Sequence, residues 1–409
     1  MSKLLEQMNT ATKKIIKLSD VAFVVPGFAF KSVDFNDNGI PLVKITEIQS
    51  PYVVLDKCSR VDASKYQKEK IEKFYLKKGE HVVAMTGATI GKVGEIITDE
   101  LLLLNQRVAV VRPKPEACRE YIESQLSSAS FQSYIKSIAG GSSAQANISG
   151  DDIGDFKFSL PDLPIQKKIA EISSAYDEKI ENNNKIIKNL EIIARTIFNE
   201  WFVNFRFLGY KKTKIVETEI GKIPEGWEIG NLSKIADINP STTIDTKVSP
   251  YVEMRDLSES GMYFRFEQKR QPTNGSRFKN HDTLVARITP CLENGKTGYV
   301  DCLEDNQVGS GSTEFIVLRP KSDYFKEFIY LLARSTQFRN FAIGRMVGSS
   351  GRQRVSADDL DRYKIILPNL LVIQSFHKII FPNFEKIKTL SEENTKLKES
   401  RDRLLMKLI

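Results

Sequence analysis

The sequence predicts an α+β protein built twice over: two similar mixed α/β domains separated by two long helices that pair as an antiparallel coiled coil, with pseudo-twofold symmetry. Three observations carry this. First, apolar residues from Ile165 through Ile169, Ile172, Tyr176, Ile180, Ile187, Leu190, Ala194 and Ile197 to Trp201 recur at steps of three and four. That is the narrow seam of a helix packed on one partner. Second, the C-terminal stretch Ile387, Leu390, Asn394, Leu397, Arg401, Leu404, Leu408 repeats that seam 207 positions later, as Ile180 against Ile387 or Ile197 against Leu404. Third, the segments before the two seams resemble each other in the order of their strand, turn and helix patterns, so one long unit is duplicated.

The first helix opens at Leu160-Pro161-Asp162-Leu163-Pro164-Ile165-Gln166, where Asp162 is a capping carboxylate and Pro164 a first-turn proline. No glycine or proline follows until Gly209. At about 1.5 Å per residue the seam from Ile165 to Trp201 is a rod of roughly 54 Å. Asn183 sits inside it, a polar seam residue that costs stability and fixes register. The second copy opens Leu367-Pro368-Asn369-Leu370, and Ile373-Gln374 repeats Ile165-Gln166; Leu371 stands where a second proline is expected. Lys167, Lys168, Glu171, Lys185, Lys188 and Glu191 are expected to face away from the seam.

At 409 residues and 41% hydrophobic content, the chain buries more than one core. The expected segments are 1–159 and 211–366 for the domains, and 160–210 and 367–409 for the helices. Residues 1–17 form a polar-basic lead-in, helical from Lys3 to Lys14. Leu18-Ser19-Asp20-Val21-Ala22 and Leu232-Ser233-Lys234-Ile235-Ala236 open the two domains. Pro41–Ile45 and Pro250–Met254 read as strands, as do Gly79–Thr86 and His281–Ile288, then Val108–Arg112 and Phe315–Arg319. One helix is expected in each half after these, Arg119–Ser137 and Tyr324–Phe341, with apolar positions that serve packing. Lys65–Lys78 reads as a solvated helix face or a phosphate-tracking segment. Glu219–Trp227 is a linker rich in turn formers.

A formal net charge of +8 and a pI near 9.0 point to a polyanionic partner. Cys58, Cys118, Cys291 and Cys302 make no CxxC pair, as expected of a reduced, cytoplasmic protein. No apolar run is long enough to span a membrane. Catalytic motifs fail on inspection. Gly87–Val93 is one spacer short of a P-loop, Gly295-Lys296-Thr297 lacks the upstream glycine, and Asn239-Pro240 is not followed by the Pro-aromatic pair of amino-methyltransferases. His81, His281 and His377 have no ligand spacing, so no metal and no catalytic residue is expected.

The loops carry the functional signal. Gly140-Gly141-Ser142-Ser143-Ala144-Gln145-Ala146-Asn147 aligns with Gly348-Ser349-Ser350-Gly351-Arg352-Gln353-Arg354. Gln and Asn bond an adenine edge twice and Arg does so with guanine, so Gln145 and Asn147 imply an adenine-richer half-site and Arg352 and Arg354 a guanine-containing one. Candidate DNA contacts also include Thr86, the turn Asn105-Gln106-Arg107 with its counterpart Thr313, and Arg287. Lys92 and Lys296, in matching Gly-Lys turns, are expected at phosphates. Two unlike readers at a set separation read an asymmetric, bipartite target. A free-standing coiled-coil DNA-binding regulator is the alternative; a nuclease and a bare scaffold are weaker readings.

Taken together, the two domain-then-helix units, the Leu160–Gln166 helix start, Trp201-Phe202-Val203-Asn204-Phe205 at its end, Ile223-Pro224-Glu225-Gly226-Trp227 and the Gly-Gly-Ser-Ser-Ala-Gln-Ala-Asn loop resemble the specificity subunit of a type I restriction-modification system. The resemblance covers nearly the whole chain. It implies two target-recognition domains that bind double-stranded DNA without doing chemistry. It also implies two methyltransferase subunits docked on helices and domains, and two ATP-dependent restriction/translocase subunits. The chain itself then holds no cofactor; S-adenosylmethionine, ATP and Mg are used by the partners, and adenine is the methylated base.

Overall fold

The computed structural model describes residues 14–56, 58–139, 147–219, 221–266, 268–271, 274–349 and 351–408, with the backbone alone for 406–408. Residues 3–13 of the expected lead-in helix and the candidate residues Ser142, Ser143, Gln145 and Ser350 lie outside the described residues; Lys14, the last residue of that expected helix, instead opens the strand Lys14–Lys17, antiparallel to Lys157–Leu160. The chain divides into two compact units, residues 1–180 with 396–409, and residues 181–395. The division falls inside both long helices, Leu163–Phe198 and Leu370–Leu408.

In the first unit a six-stranded sheet runs in the order Ala22–Pro26, Val108–Pro113, His81–Ala84, Val93–Glu95, Tyr52–Val53, Ile48–Gln49. A second sheet orders Arg60–Val61, Phe35–Val43, Leu102–Leu104, Tyr75–Leu76, with Leu102–Leu104 parallel to Phe35–Val43. The strand Val108–Pro113 is buried on both faces, and its period of two divides it cleanly. Val108 and Val110 join the core shared with the second sheet, whereas Ala109 and Val111 join the core under the helices.

The second unit repeats the scheme. One sheet orders Ala236–Ile238, Phe315–Pro320, Thr283–Ala286, Thr297–Tyr299; the other orders Gln268–Arg270, Ser249–Val252, Gly309–Gly311, Ser276–Phe278. Ser249–Val252 runs parallel to Gly309–Gly311. Here Ile316 and Leu318 face one core and Phe315 and Val317 the other. The duplication read from the sequence is thus a duplication of strand order.

Four local expectations change. Each helix expected after the central strand is two: Arg119–Leu126 then Ala129–Ile138, and Lys326–Arg334 then Thr336–Gly344. A serine makes each break, since Ser128 Oγ accepts the Phe131 N–H at 3.1 Å and Ser335 Oγ the Phe338 N–H at 3.2 Å, an N-cap that restarts the chain in a new direction. Lys65–Lys78 is no continuous helix but short turns ending in the strand Tyr75–Leu76, with Phe74 buried beside Phe28. The linker forms the hairpin Ile215–Thr218/Gly221–Pro224 and ends in Trp227, buried against Phe202 and Phe207. Glu191 is half-buried and not a plain solvated side chain: its Oε1 accepts the Met262 N–H at 2.7 Å, and burial raises its pKa.

Both helices pair along their seams, antiparallel, as contacts inside each unit show. In the first unit Arg401 bonds Asp177, and Ile169 and Ala170 share a core with Leu405. In the second, Asn183 Nδ2 donates to Asn394 Oδ1 and to Glu393 Oε2, each at 2.9 Å, and Asn394 Nδ2 donates to Asn184 Oδ1. Ala194, Phe198, Trp201 and Phe202 then join the core of Ile373, Phe376, Ile380 and Ile387. The first helix is anchored by Gln166, which accepts from Cys118 N and donates to Pro161 O. The second starts at Leu370 without its second proline because Asn369 Oδ1 caps it through Val372 N–H at 3.0 Å.

Candidate nucleic-acid interface

Each unit builds the same backbone frame at the end of one central strand. In the first, Met85 follows His81–Ala84; its N–H donates to Arg107 O and its carbonyl accepts from Ile148 N–H, both at 2.9 Å. Thr86 pairs with Asn147 in a single antiparallel bridge. The strand end is therefore flanked by the turn 105–107 on one side and the loop end at 147 on the other. Asn105 Oδ1 accepts the Arg107 N–H, and Gln106 N–H donates to Phe28 O. These bonds consume backbone groups and leave the Gln106 and Arg107 side chains exposed. Gly27 permits this approach, since a Cβ there would stand 2.3 Å from Asn105 O. Thr86, Asn105, Gln106, Arg107 and Asn147 thus come together. Lys92 is exposed on the adjoining turn, its carbonyl accepting from Ala84 N–H.

The second unit repeats the frame with different side chains. Arg287 takes the place of Met85: its N–H donates to Glu314 O and its carbonyl accepts from Val355 N–H, both at 3.0 Å. Ile288 bridges Arg354 as Thr86 bridges Asn147. The loop is itself a small hairpin, with Val347 and Arg354 exchanging backbone bonds at 2.9 Å. Ser349 and Arg352 are exposed at its tip, Gln353 is half-buried, and Thr313 is exposed on the facing turn.

Besides Asn105, two candidate side chains carry intramolecular partners. Arg354 forks onto Glu314, with Nε at 2.9 Å and Nη2 at 2.7 Å from its oxygens. Lys296 Nζ donates to Met254 O at 2.9 Å, so this lysine is half-buried where Lys92 is free to reach out. Sequence reading missed Glu314 as the partner of Arg354, because 40 positions separate them and no local pattern links them. It also missed a cleft of about 490 Å³ lined by Arg277, Arg287, Asn239, Thr242, Asn274 and Thr313 among others. Among the described residues, no three His, Cys, Asp or Glu side chains gather as a metal site, and no helix is long and apolar enough to cross a membrane.

Such a molecule presents two versions of one loop frame, one with Gln106, Arg107 and Asn147 exposed and the other with Thr313, Ser349 and Arg352: a duplicated polyanion reader. The chain belongs to the family described as the type I restriction modification DNA specificity domain, whose model matches residues 11–192 and 224–399. It is therefore a DNA-recognition subunit and not a catalytic one. It is similar to the type I restriction enzyme MjaIX specificity subunit of Methanocaldococcus jannaschii, 26% identical over 359 residues, spanning 80% of this chain and 76% of the relative. The putative MjaX specificity subunit of the same organism is 24% identical over 97% of this chain and 91% of its own length. In fold, the chain is similar to the crystal structure of the type I restriction-modification S subunit from M. genitalium, with a TM-score of 0.54 at 15% identity over 98% and 97% of the two chains.

Proposed function

We propose that this subunit reads an asymmetric, bipartite duplex site, one half-site per unit, and so directs adenine methylation and ATP-dependent restriction by partner subunits. In this reading 1–159 and 211–366 are the target-recognition domains, and 160–210 and 367–409 the helices that space them. Two methyltransferase subunits and two restriction/translocase subunits dock on it in the cytoplasm. They bring S-adenosylmethionine, ATP and Mg, while this chain holds no cofactor.

One observation supports this above the rest. The same backbone frame carries Met85, Arg107 and Asn147 in one unit and Arg287, Glu314 and Arg354 in the other. A shared frame with unlike side chains is what two different half-sites require. Arg352, exposed at the second loop tip, is the residue proposed to reach a guanine edge, while Gln145 and Asn147 meet adenine. The test is Arg352→Ala in the assembled methyltransferase, read by sequencing the methylated sites. Relaxed preference at one position of the second half-site is expected, worth about 1–3 kcal/mol, with the first half-site unchanged. Untouched preference at both would refute the assignment.

A further inference from the structure

We infer that the cleft at Arg287 receives a backbone phosphate of DNA at the second half-site, and that Arg287 is a phosphate clamp and not a reader of bases. This rests on the DNA-recognition reading above. The cleft is concave and about 490 Å³ in volume, and its lining holds two arginines, hydroxyls and amides but neither Asp nor Glu. Arg277 is held at the wall by its Nη1 donating to Thr242 O at 2.8 Å. The acid beside the cleft, Glu314, is engaged by Arg354. Arg287 is the contrasting member: its Nε is buried and has no hydrogen-bond partner among the described residues.

A buried donor on a permanently charged group is costly to leave unpaired. A lining of donors around such a group selects an anion with several acceptor oxygens, which is the chemistry of a phosphate. A guanine edge also offers two acceptors, but bases lie recessed in a groove and are read by side chains that project. Arg287 is half-buried in the lining of a cleft, unlike Arg352 on its exposed loop tip, so the ligand it meets is the group that projects. On a duplex that group is the phosphate. The clamp is one-sided. At the same place in the other unit's frame stands Met85, an apolar side chain closed into the core.

The test compares wild type with Arg287→Met, which installs the first unit's residue, and Arg287→Lys, which keeps the charge. Affinities of the full chain, assembled with its methyltransferase partner, are measured on duplexes carrying one neutral methylphosphonate at successive positions. Wild type should lose affinity at one linkage of the second half-site, and Arg287→Met should be insensitive there. Arg287→Met should also bind all sequences several-fold more weakly and show a salt slope reduced by about one, with Arg287→Lys intermediate. Thermal melts of each full-length variant establish that it is folded. Altered base preference with an unchanged slope would overturn the clamp in favour of base reading. An Arg287-dependent rise in melting temperature with inorganic phosphate, unaccompanied by any effect on DNA, would assign the cleft to a free anion and overturn it equally. If wild type binds no duplex at all, the DNA-recognition reading fails, not the clamp alone.

Discussion

Asp301 lies at the C-terminal side of the strand Thr297–Tyr299, nearly buried, with Oδ1 lacking a partner among the described residues. Burial pushes its carboxyl up to about 7; Lys388 counteracts this, and Glu385 and Glu392 add to the rise. A raised carboxyl pKa means that the folded state keeps a proton which the unfolded chain releases from its ordinary value near 3.8. Stability from this group is therefore intact below pH 4 and lost as pH climbs to 7. Asp301→Asn should raise the melting temperature at pH 8, by a free energy on the order of 2–4 kcal/mol, with the gain fading toward pH 4. Melts across that range check it, and a gain independent of pH would point to packing instead. Other charges at this scale are repeated by the duplication. Arg112 bonds Glu80 in one unit and Arg319 bonds Asp282 in the other, and each carboxylate also accepts a local backbone N–H, from Lys77 and Lys279. The turn before the same strand takes a left-handed residue in both units, Gly79 at φ 79° and His281 at φ 75°, the histidine at a cost of about 1 kcal/mol.

At the scale of elements, the two seam asparagines bond each other at the centre of a small polar cluster that also takes in Asn184 and Glu393. Asn183 is fully buried and Asn394 nearly so, bonded to each other at 2.9 Å. Removing one partner leaves the other a buried amide with only its bond to Glu393 or Asn184, whereas removing both leaves an apolar seam. Asn183→Leu or Asn394→Leu alone should each cost about 1–3 kcal/mol, and the double variant should recover most of it. Urea denaturation of the four full-length proteins measures the coupling; additive losses would mean the pair is not a unit. Asn183 was visible in the sequence as a polar interruption, as were the heptad spacing, the 207-residue repeat and the strands Val108–Pro113 and Phe315–Pro320. Those signals are local periodicities that burial on one or two faces enforces. What stayed hidden depends on residues far apart in the chain: the Glu314 grip on Arg354, the cleft at Arg287, the inward turn of Glu191. The split helices were legible in part, since Ser128 and Ser335 are good N-caps, yet apolar periodicity on both sides of each serine masked the break.

For the whole molecule, the register of this pair decides which helices choose each other. Moving four residues in opposite directions from the Asn183–Asn394 contact brings Ile187 opposite Leu390, so polar meets polar and apolar meets apolar. If two first helices paired in the register set by the repeat, Asn183 of each copy would face Ile187 of the other, twice. Two second helices would set Asn394 against Leu390, also twice. Like-with-like assembly thus buries two unsatisfied amides, and the arrangement favours pairing within one chain. A fragment ending at Tyr210 should therefore dimerise weakly. Asn183→Leu within that fragment should tighten the dimer by roughly thirtyfold or more, two buried sites at about 1–3 kcal/mol each. The tightened dimer carries one kind of recognition unit twice, so with its methyltransferase partner it should modify a palindrome built from the first half-site. Sedimentation equilibrium and mapping of methylated sites test both parts. A dimer of unchanged strength, or modification of the original asymmetric site, would show that the seam does not select its partner.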